Sequence, residues 1–241
     1  MTQGDIQWAK IYQSIVDVPT EPRCSVKPFL EKYFPNVNGQ TALDAGCGTG
    51  RNLTYLLSKG FKAFGFDFIP EAVEHTKEQL GIDLEEASRV VKVGDLRERF
   101  PFDGPFDLVV AYGCIHNIEA RANQTAYQGI QNAFSEIARV LDGIAYVWVK
   151  SPKQLEVGHL GEVIEDPGVE GGGKTYRVES SGKENGLSWH IFTKPELYAL
   201  VQQSGLDMMA EPKEVHSVSG RKAGIKDRWN WEIILKPQTH L

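Results

Sequence analysis

The chain has 241 residues, of which 41% are hydrophobic, 10% aromatic and 24% charged, a composition that excludes collagen-like, low-complexity and disordered classes and can bury a sizeable core. Lys and Arg number 26 against 32 Asp and Glu, a net charge of −6, which argues against a generic polyanion binder but leaves room for a local basic site. Cys24, Cys47 and Cys114 stand too far apart for a paired-cysteine zinc framework, so no metal is expected, and this cysteine usage suits a reducing compartment.

The N-terminus, MTQGDIQWAK, has no cationic start followed by an apolar run, and the longest apolar stretch, around Leu108 to Ile115, is far shorter than a membrane span. A cytoplasmic protein without membrane partners is the expectation. Residues 1–40, with Trp8 and Tyr12 one helical turn apart, read as a helical cap. A domain of residues 41–241 follows. Thr41–Ala45 is a strand, and after a Gly-rich turn Leu53, Leu56 and Leu57 share a helical face. Phe61–Phe66 is a second strand, Pro70 suits the first turn of a helix through Leu80, and Arg89–Val93 and Phe106–Tyr112 are the third and fourth strands. Tyr127, Ile130, Phe134, Ile137, Ala138 and Leu141 mark a long amphipathic helix, stopped by Asp142-Gly143 before a fifth strand, Ile144–Lys150. Strands and helices alternating in this way imply βαβ units, hence an α/β fold with a mostly parallel sheet covered by helices.

From about 151 to 188 the pattern gives way to a Gly-rich, partly acidic insertion. It resumes at Thr193-Lys194-Pro195-Glu196, a helix start carried on by Leu197, Leu200 and Val201. Leu206–Ala210 and Trp229–Leu235 are the last strand candidates.

The most informative residues run from Leu43 to Asn52, Leu-Asp-Ala-Gly-Cys-Gly-Thr-Gly-Arg-Asn, at the first strand-to-helix turn. Glycines there let backbone approach a ligand, and a helix N-terminus offers free N–H groups. The Gly-x-Gly-x-Gly spacing lacks the Gly-x-Gly-x-x-Gly of dinucleotide sites and the Gly-Lys-Ser/Thr of triphosphate sites. Asp67, ending the second strand, sits where a carboxylate can accept bonds from ribose hydroxyls.

With these motifs the sequence resembles the class I S-adenosylmethionine-dependent methyltransferases. The resemblance covers residues 41 to 150 and implies a Rossmann-like, seven-stranded, mostly parallel sheet with helices on both faces, and S-adenosyl-L-methionine as cofactor. In that family the Asp-x-Gly-x-Gly-x-Gly loop wraps the methionine end of the cofactor. By resemblance, Asp44, Gly46, Cys47, Gly48, Gly50 and Asn52 form the loop and its helix start, Asp67 holds the ribose and Phe68 packs near the adenine. Gly94-Asp95-Leu96 matches the acid after the third strand, which puts Asp95 by the adenine amino group with Leu96 beside it. Tyr112 and Gly113, ending the fourth strand, flank the cofactor. Taken singly, Asp67 and Asp95 are equally well turn or helix caps, and Cys47 a small buried filler. Jointly they fall at the C-terminal ends of successive parallel strands, the ligand edge of open α/β sheets.

Methyl transfer is an in-line displacement, so positioning does most of the work, and a base serves substrates that must lose a proton. His116, three residues past the Gly113 that closes the fourth strand, with Cys114 and Ile115 between them, is the catalytic candidate, as base or substrate orienter; its alternative is a cap on the following segment. Neither an Asn/Asp-Pro-Pro-aromatic motif nor a Pro-Cys nucleophile occurs here, which excludes amino-group and cytosine C5 nucleobase methylases, and Cys114 reads as packing.

Trp8, Tyr12, His159, Trp189 and His190 are the substrate-side candidates. The insertion carries Glu156, Glu162, Glu165, Asp166 and Glu170 with no Lys or Arg between Lys153 and Lys174, which suggests an acidic lid favouring a neutral or cationic small substrate; a solvated loop is the alternative. The leading expectation is methyl transfer to an N, O or S atom of a small molecule. Two alternatives stand beside it. The aromatic rhythm of the C-terminal half is similar to that of the tRNA wobble-uridine carboxymethyl methyltransferases, and residues 213–228 are net basic. A non-catalytic cofactor-binding partner subunit is the other.

Overall fold

The computed structural model describes residues 2–15, 20–218 and 227–239. The main sheet is built from β1 (Thr41–Ala45), β2 (Lys62–Asp67), β3 (Val91–Val93), β4 (Phe106–Tyr112) and β5 (Leu141–Lys150), followed after the insertion by β9 (Leu206–Met208), β10 (Lys213–Val218) and β11 (Asp227–Pro237). Its order is β10-β11-β5-β4-β1-β2-β3, with β9 also paired to β11. Strands β1 to β5 run parallel and β11 runs antiparallel to β5. Leu235 pairs with Ala145 across one edge of β11 and with Met208 across the other, so β9 and β10 lie on the same side as one interrupted outer strand. Seven strand positions result, as expected of the fold.

Adjacent residues of a strand point to opposite faces, and both faces of the central strands are apolar because both are covered. Leu43 and Val109 join Ile130 and Phe134 of α6 (Ala126–Val140) and Leu197 of α7 (Lys194–Gln203) in one core. Ala42, Leu108 and Val110 join Phe29 of α2 (Val26–Tyr33), Leu53 of α3 (Arg51–Ser58) and Val73 of α4 (Pro70–Leu80) in the other. Each fully buried side chain of this size contributes roughly 1.5–3 kcal/mol. β1, β4 and α4 span the residues their patterns predict, because β1 and β4 are apolar runs closed by Gly and α4 is bounded by Pro70 at its start and Gly81 at its end.

The structure departs from expectation in four places. The third strand starts at Val91, because the residues before it form α5 (Leu84–Val90), whose N-cap Asp83 accepts from the Glu85 and Glu86 amides. β5 begins at Leu141 rather than Ile144, since the chain leaves α6 directly into extended backbone. Lys213–Val218 is a strand where none was expected. The insertion is not a loop: β6 (Leu160–Glu165), β7 (Lys174–Val178) and β8 (Ser188–Ile191) form a three-stranded antiparallel sheet.

One face of that small sheet, with Val178, Trp189 and Ile191, packs against Trp8 and Ile11 of α1 (Gln3–Gln13). The other face presents His190, whose Nδ1 is bonded to the Thr175 hydroxyl and Nε2 to Glu196 Oε1, each at 2.9 Å. Glu196 also accepts from the Gly173 and Thr193 amides through Oε2, so this buried group ties the insertion to the start of α7. Two of the insertion's acids have structural partners. Glu165 accepts from the Ala126 and Tyr127 amides at 2.9 Å each, capping free N–H groups at the start of α6. Asp166 pairs with Lys174 and accepts from the Gly168 amide.

Replacing Glu165 with Ala is expected to lower the unfolding free energy by about 0.5–2 kcal/mol, measured by urea denaturation, with binding of small ligands unaffected. An acid that served a ligand instead would show the reverse.

Candidate active site

The C-terminal ends of β1, β2, β4 and β5 open into one cavity of about 940 Å³. Its floor is the loop after β1. The Gly46 and Cys47 amides both donate to the Phe66 carbonyl, at 2.8 and 2.9 Å, and the Gly48 amide donates to Asp67 Oδ2 at 2.9 Å. Gly48 has φ +59°, and a Cβ there would stand 2.9 Å from the Tyr12 hydroxyl. Left-handed backbone and this close approach together require glycine. Asp67 Oδ1 accepts from the Ile69 amide, so each oxygen keeps a lone pair for another donor. Burial raises the Asp67 carboxyl to about 6 against those backbone bonds.

Asp44 lies beneath the loop rather than on the cavity wall. It is buried, its oxygens have no hydrogen-bond partner, and burial, reinforced by the charge of Asp67, pushes it up to about 7. Gly50, too, stays off the wall, packed on Thr76. Gly46, Cys47, Gly48, Asn52, Asp67, Phe68, Asp95, Leu96, Tyr112 and Gly113 all line the cavity. Asp95 differs from expectation in its chemistry: its carboxylate accepts from Arg97 Nε and NH2 and from Arg121 NH2. Arg97 in turn reaches the buried Asp5 of α1. Asp95 therefore anchors the N-terminal helix more than it offers a free acceptor.

α1 crosses the cavity with Trp8 and Tyr12 stacked at 5.9 Å, both on the wall. It is fastened by the Gly4 amide to Glu119, Gln13 to Glu71 and Gln7 to the Lys183 carbonyl. The far end is made by Tyr112, His116, Trp148, Lys150, Glu184, Trp189, Arg228 and Asn230. His116 is buried and its Nδ1 has no hydrogen-bond partner. Burial first, then the charges of Lys150 and Arg228, push its imidazole well below the usual range, so it is neutral near pH 7. The Cys114 thiol donates to the Ala45 carbonyl at 3.2 Å, and burial raises it far from thiolate character.

Three expected substrate residues are corrected or divided. Trp189 is on the wall, its ring 6.1 Å from His116. His190, its strand neighbour, points to the opposite face and takes no part. His159 is exposed with φ +70° and lies away from the cavity. Glu156, Glu162, Glu165, Asp166 and Glu170 are likewise absent from the wall, which overturns the acidic lid. The insertion contributes Lys183, Glu184 and Trp189 instead. Lys150, Trp148 and Asn230 escaped the sequence reading, although a Lys closing the apolar run Ile144–Lys150 at the ligand edge of the sheet is a usable signal.

Residues 42–142 match the family model described as "Methyltransferase domain". That stretch is a methyltransferase domain, and its motifs are those of the class I S-adenosylmethionine-dependent kind. An uncharacterized methyltransferase of Schizosaccharomyces pombe is 33% identical over 79 residues, 33% of this chain and 53% of that protein, so the chain spans about half the length of the curated relatives it matches. Among solved structures, a SAM-dependent methyltransferase of Methanosarcina mazei superposes with TM-score 0.66 at 19% identity, covering 88% of this chain and 98% of that one. The 1,6-didemethyltoxoflavin-N1-methyltransferase of Burkholderia thailandensis, solved with its substrate and S-adenosylhomocysteine, gives 0.59 at 18% identity over 97% and 87%. These similarities show the fold.

The residues of this methyltransferase fit the family's cofactor. Asp44, buried under the loop and raised to about 7, would be favoured in its ionised form by the cationic methionine end that the family's loop wraps around. Asp67 retains acceptor capacity at the wall, and Phe68 and Leu96 line the cavity beside it with apolar surface. No helix among the described residues is long and apolar enough to cross a membrane.

Because folding raises the Asp67 carboxyl from 3.8 to about 6, the folded chain holds the extra proton between these values. The contribution of Asp67 to stability is therefore full below about pH 4 and is lost as pH rises through 6. Without cofactor, Asp67→Asn is expected to flatten the fall in melting temperature across that window relative to wild type, and to weaken S-adenosylhomocysteine binding at least ~tenfold by loss of a charged acceptor. Thermal melts from pH 4 to 8 and calorimetry test both; parallel melting curves would disprove the assignment.

Proposed function

We propose that this chain transfers the methyl group of S-adenosylmethionine to an N, O or S atom of a small molecule. The observation that carries this reading is the continuity of one cavity from the loop after β1 to the far end of the sheet. The loop and Asp67 occupy one end, a neutral His116 and a buried polar pocket the other, with α1 fastened across the opening. At about 940 Å³ it stands at the upper end of the size of single-ligand pockets, room for a cofactor and a small acceptor together. A polymeric acceptor would need an open groove where Trp8, Tyr12 and Trp189 close the wall.

When bound, the cofactor supplies an electrophilic methyl group. The chain's own residues do the rest. Gly46, Gly48 and Asp67 hold one end in place, and Gly113, φ +72° and without a side chain, leaves space at the end of β4. His116 accepts a proton from the acceptor atom where one must leave, on the unprotonated nitrogen of its neutral ring. Trp8, Tyr12 and Trp189 exclude water and orient the acceptor. Residues 1–40 act as a cap and 41–241 as the catalytic domain, the insertion closing the acceptor end.

Much of the net basic stretch 213–228 on which the tRNA alternative drew lies outside the described residues, and within them Arg228 is paired with Glu184.

The deciding experiment is an unbiased metabolite screen with a labelled methyl donor, run beside bulk tRNA. A labelled small product is expected, and label in tRNA alone would defeat the proposal. With that acceptor, His116→Ala should lower kcat by about 10²–10⁴-fold and leave S-adenosylhomocysteine affinity nearly unchanged. An equal loss of both would make His116 structural.

A further inference from the structure

We infer that the acceptor substrate carries a compact oxyanion, a carboxylate or phosphate, which binds to a patch of N–H donors on β5 and β11. This rests on the methyltransferase reading above and specifies the class of its substrate.

The patch follows from strand register. Trp148 and Lys150 are two apart on β5, and Arg228 and Asn230 are two apart on β11, so each pair shares a face. Lys150 is directly opposite Asn230 and Trp148 opposite Glu232, and directly opposed residues of an antiparallel pair lie on the same side. On the next strand, Ser217 stands opposite Arg228. Trp148, Lys150, Arg228, Asn230 and Ser217 therefore form one contiguous surface, and all five line the cavity.

What these side chains lack points to a ligand. Trp148, Lys150 and Asn230 are at most 5% exposed. The Trp148 indole N–H, the Asn230 amide nitrogen and Arg228 Nε have no hydrogen-bond partner. A buried donor left in this state costs about 1–3 kcal/mol, and native proteins rarely tolerate several together unless something else satisfies them. Lys150 Nζ has only Gln154 Oε1 at 3.4 Å and the face of Trp189, 4.3 Å from the ring centroid. Burial first, then the charge of Arg228, disfavour its ammonium, while the Glu184 carboxylate favours it. Arg228 is already balanced by Glu184. The acceptor end thus holds a buried lysine with one long hydrogen bond and several unused donors beside it, and a group with two or three acceptor oxygens answers both. An amine would place a second cation beside Lys150 and leave every donor unsatisfied. His116 Nδ1 and the Asn117 carbonyl oxygen, the unpartnered acceptors nearby, sit on the β4 side, available to the part of the substrate that reacts.

The test is calorimetry on the full chain loaded with S-adenosylhomocysteine, using benzoate, phenyl phosphate, benzamide and benzylamine as matched probes. Benzoate or phenyl phosphate should bind at least about tenfold more tightly than benzamide and benzylamine; which of the two leads identifies the oxyanion. Lys150→Met should abolish that preference with S-adenosylhomocysteine affinity unchanged. Asn230→Ala, a milder change, should weaken the same probes and covers the case in which Lys150→Met does not fold. Equal or stronger binding of benzylamine or benzamide, no binding of either oxyanion, or unchanged oxyanion affinity in both variants overturns the inference while the methyltransferase reading stands. A wild-type chain that does not bind S-adenosylhomocysteine at all overturns that reading, and this inference with it.

Discussion

Asp67 accepts from the Gly48 and Ile69 amides at a depth where an ionised carboxylate is costly, and the shape of the cavity floor depends on that carboxylate. Removing water from it raises its proton affinity, while the two backbone bonds offset part of the cost. The bond to Gly48 fixes the middle of the loop, and the bonds of Gly46 and Cys47 to Phe66 fix its start. Parallel pairing of β1 with β2 in register, Ala45 beside Phe66, brings these groups together. The acid at the end of β2 is thus first a part of the loop's scaffold. That is also why it suits a ligand: a group already held by backbone amides loses little freedom when it accepts another bond.

The charges of the chain are arranged against what its net value suggests. The acids of the insertion are used locally, Glu165 on the N-terminus of α6 and Asp166 on Lys174, and none faces the cavity. Asp95 and Asp5 are held by Arg97 and Arg121. Inside, Asp44 and Asp67 lie at the loop, and Lys150 lies with the Arg228–Glu184 pair at the opposite end. A net charge of −6 describes the solvated surface and says little about the interior, where a single uncompensated charge outweighs many screened ones.

How much was legible in the sequence depended on whether a local pattern had one physical cause. β1, β4 and α4 were readable to the residue because they are buried runs with sharp chemical stops. The loop and Asp67 were readable because motif and strand end coincide. β10 was not: Lys-Glu-Val-His-Ser-Val is an edge strand, and an edge needs no apolar face and favours charge. β6 was hidden for the same reason, since it is the edge of its small sheet and carries exposed acids that look like a polar loop. His190 could have been separated from Trp189 by strand parity alone, because neighbours in a strand cannot both face one cavity. Asp95 was different. Its position was right, but two guanidinium groups from residues 97 and 121 claim it, and nothing in local sequence indicates which distant arginine will arrive.

The acceptor end gains a further property from its own electrostatics. His116 is kept neutral by burial and by the nearby charges of Lys150 and Arg228, and Trp189 touches both the imidazole and the Lys150 ammonium. An imidazole held this way is unprotonated, as a proton acceptor must be, but a poor base, since the same cations disfavour the proton it would take. An oxyanion bound against Lys150 reverses the sign of that influence, because a nearby negative charge favours the protonated form. On the proposed reading, the substrate's own charge then raises the basicity of His116 when an acceptor atom is present to be deprotonated. Without substrate, the imidazole stays neutral and its Nδ1 remains free. A cationic substrate would have the opposite effect, adding to the charge that already suppresses the base. Binding and proton transfer therefore select for the same kind of molecule.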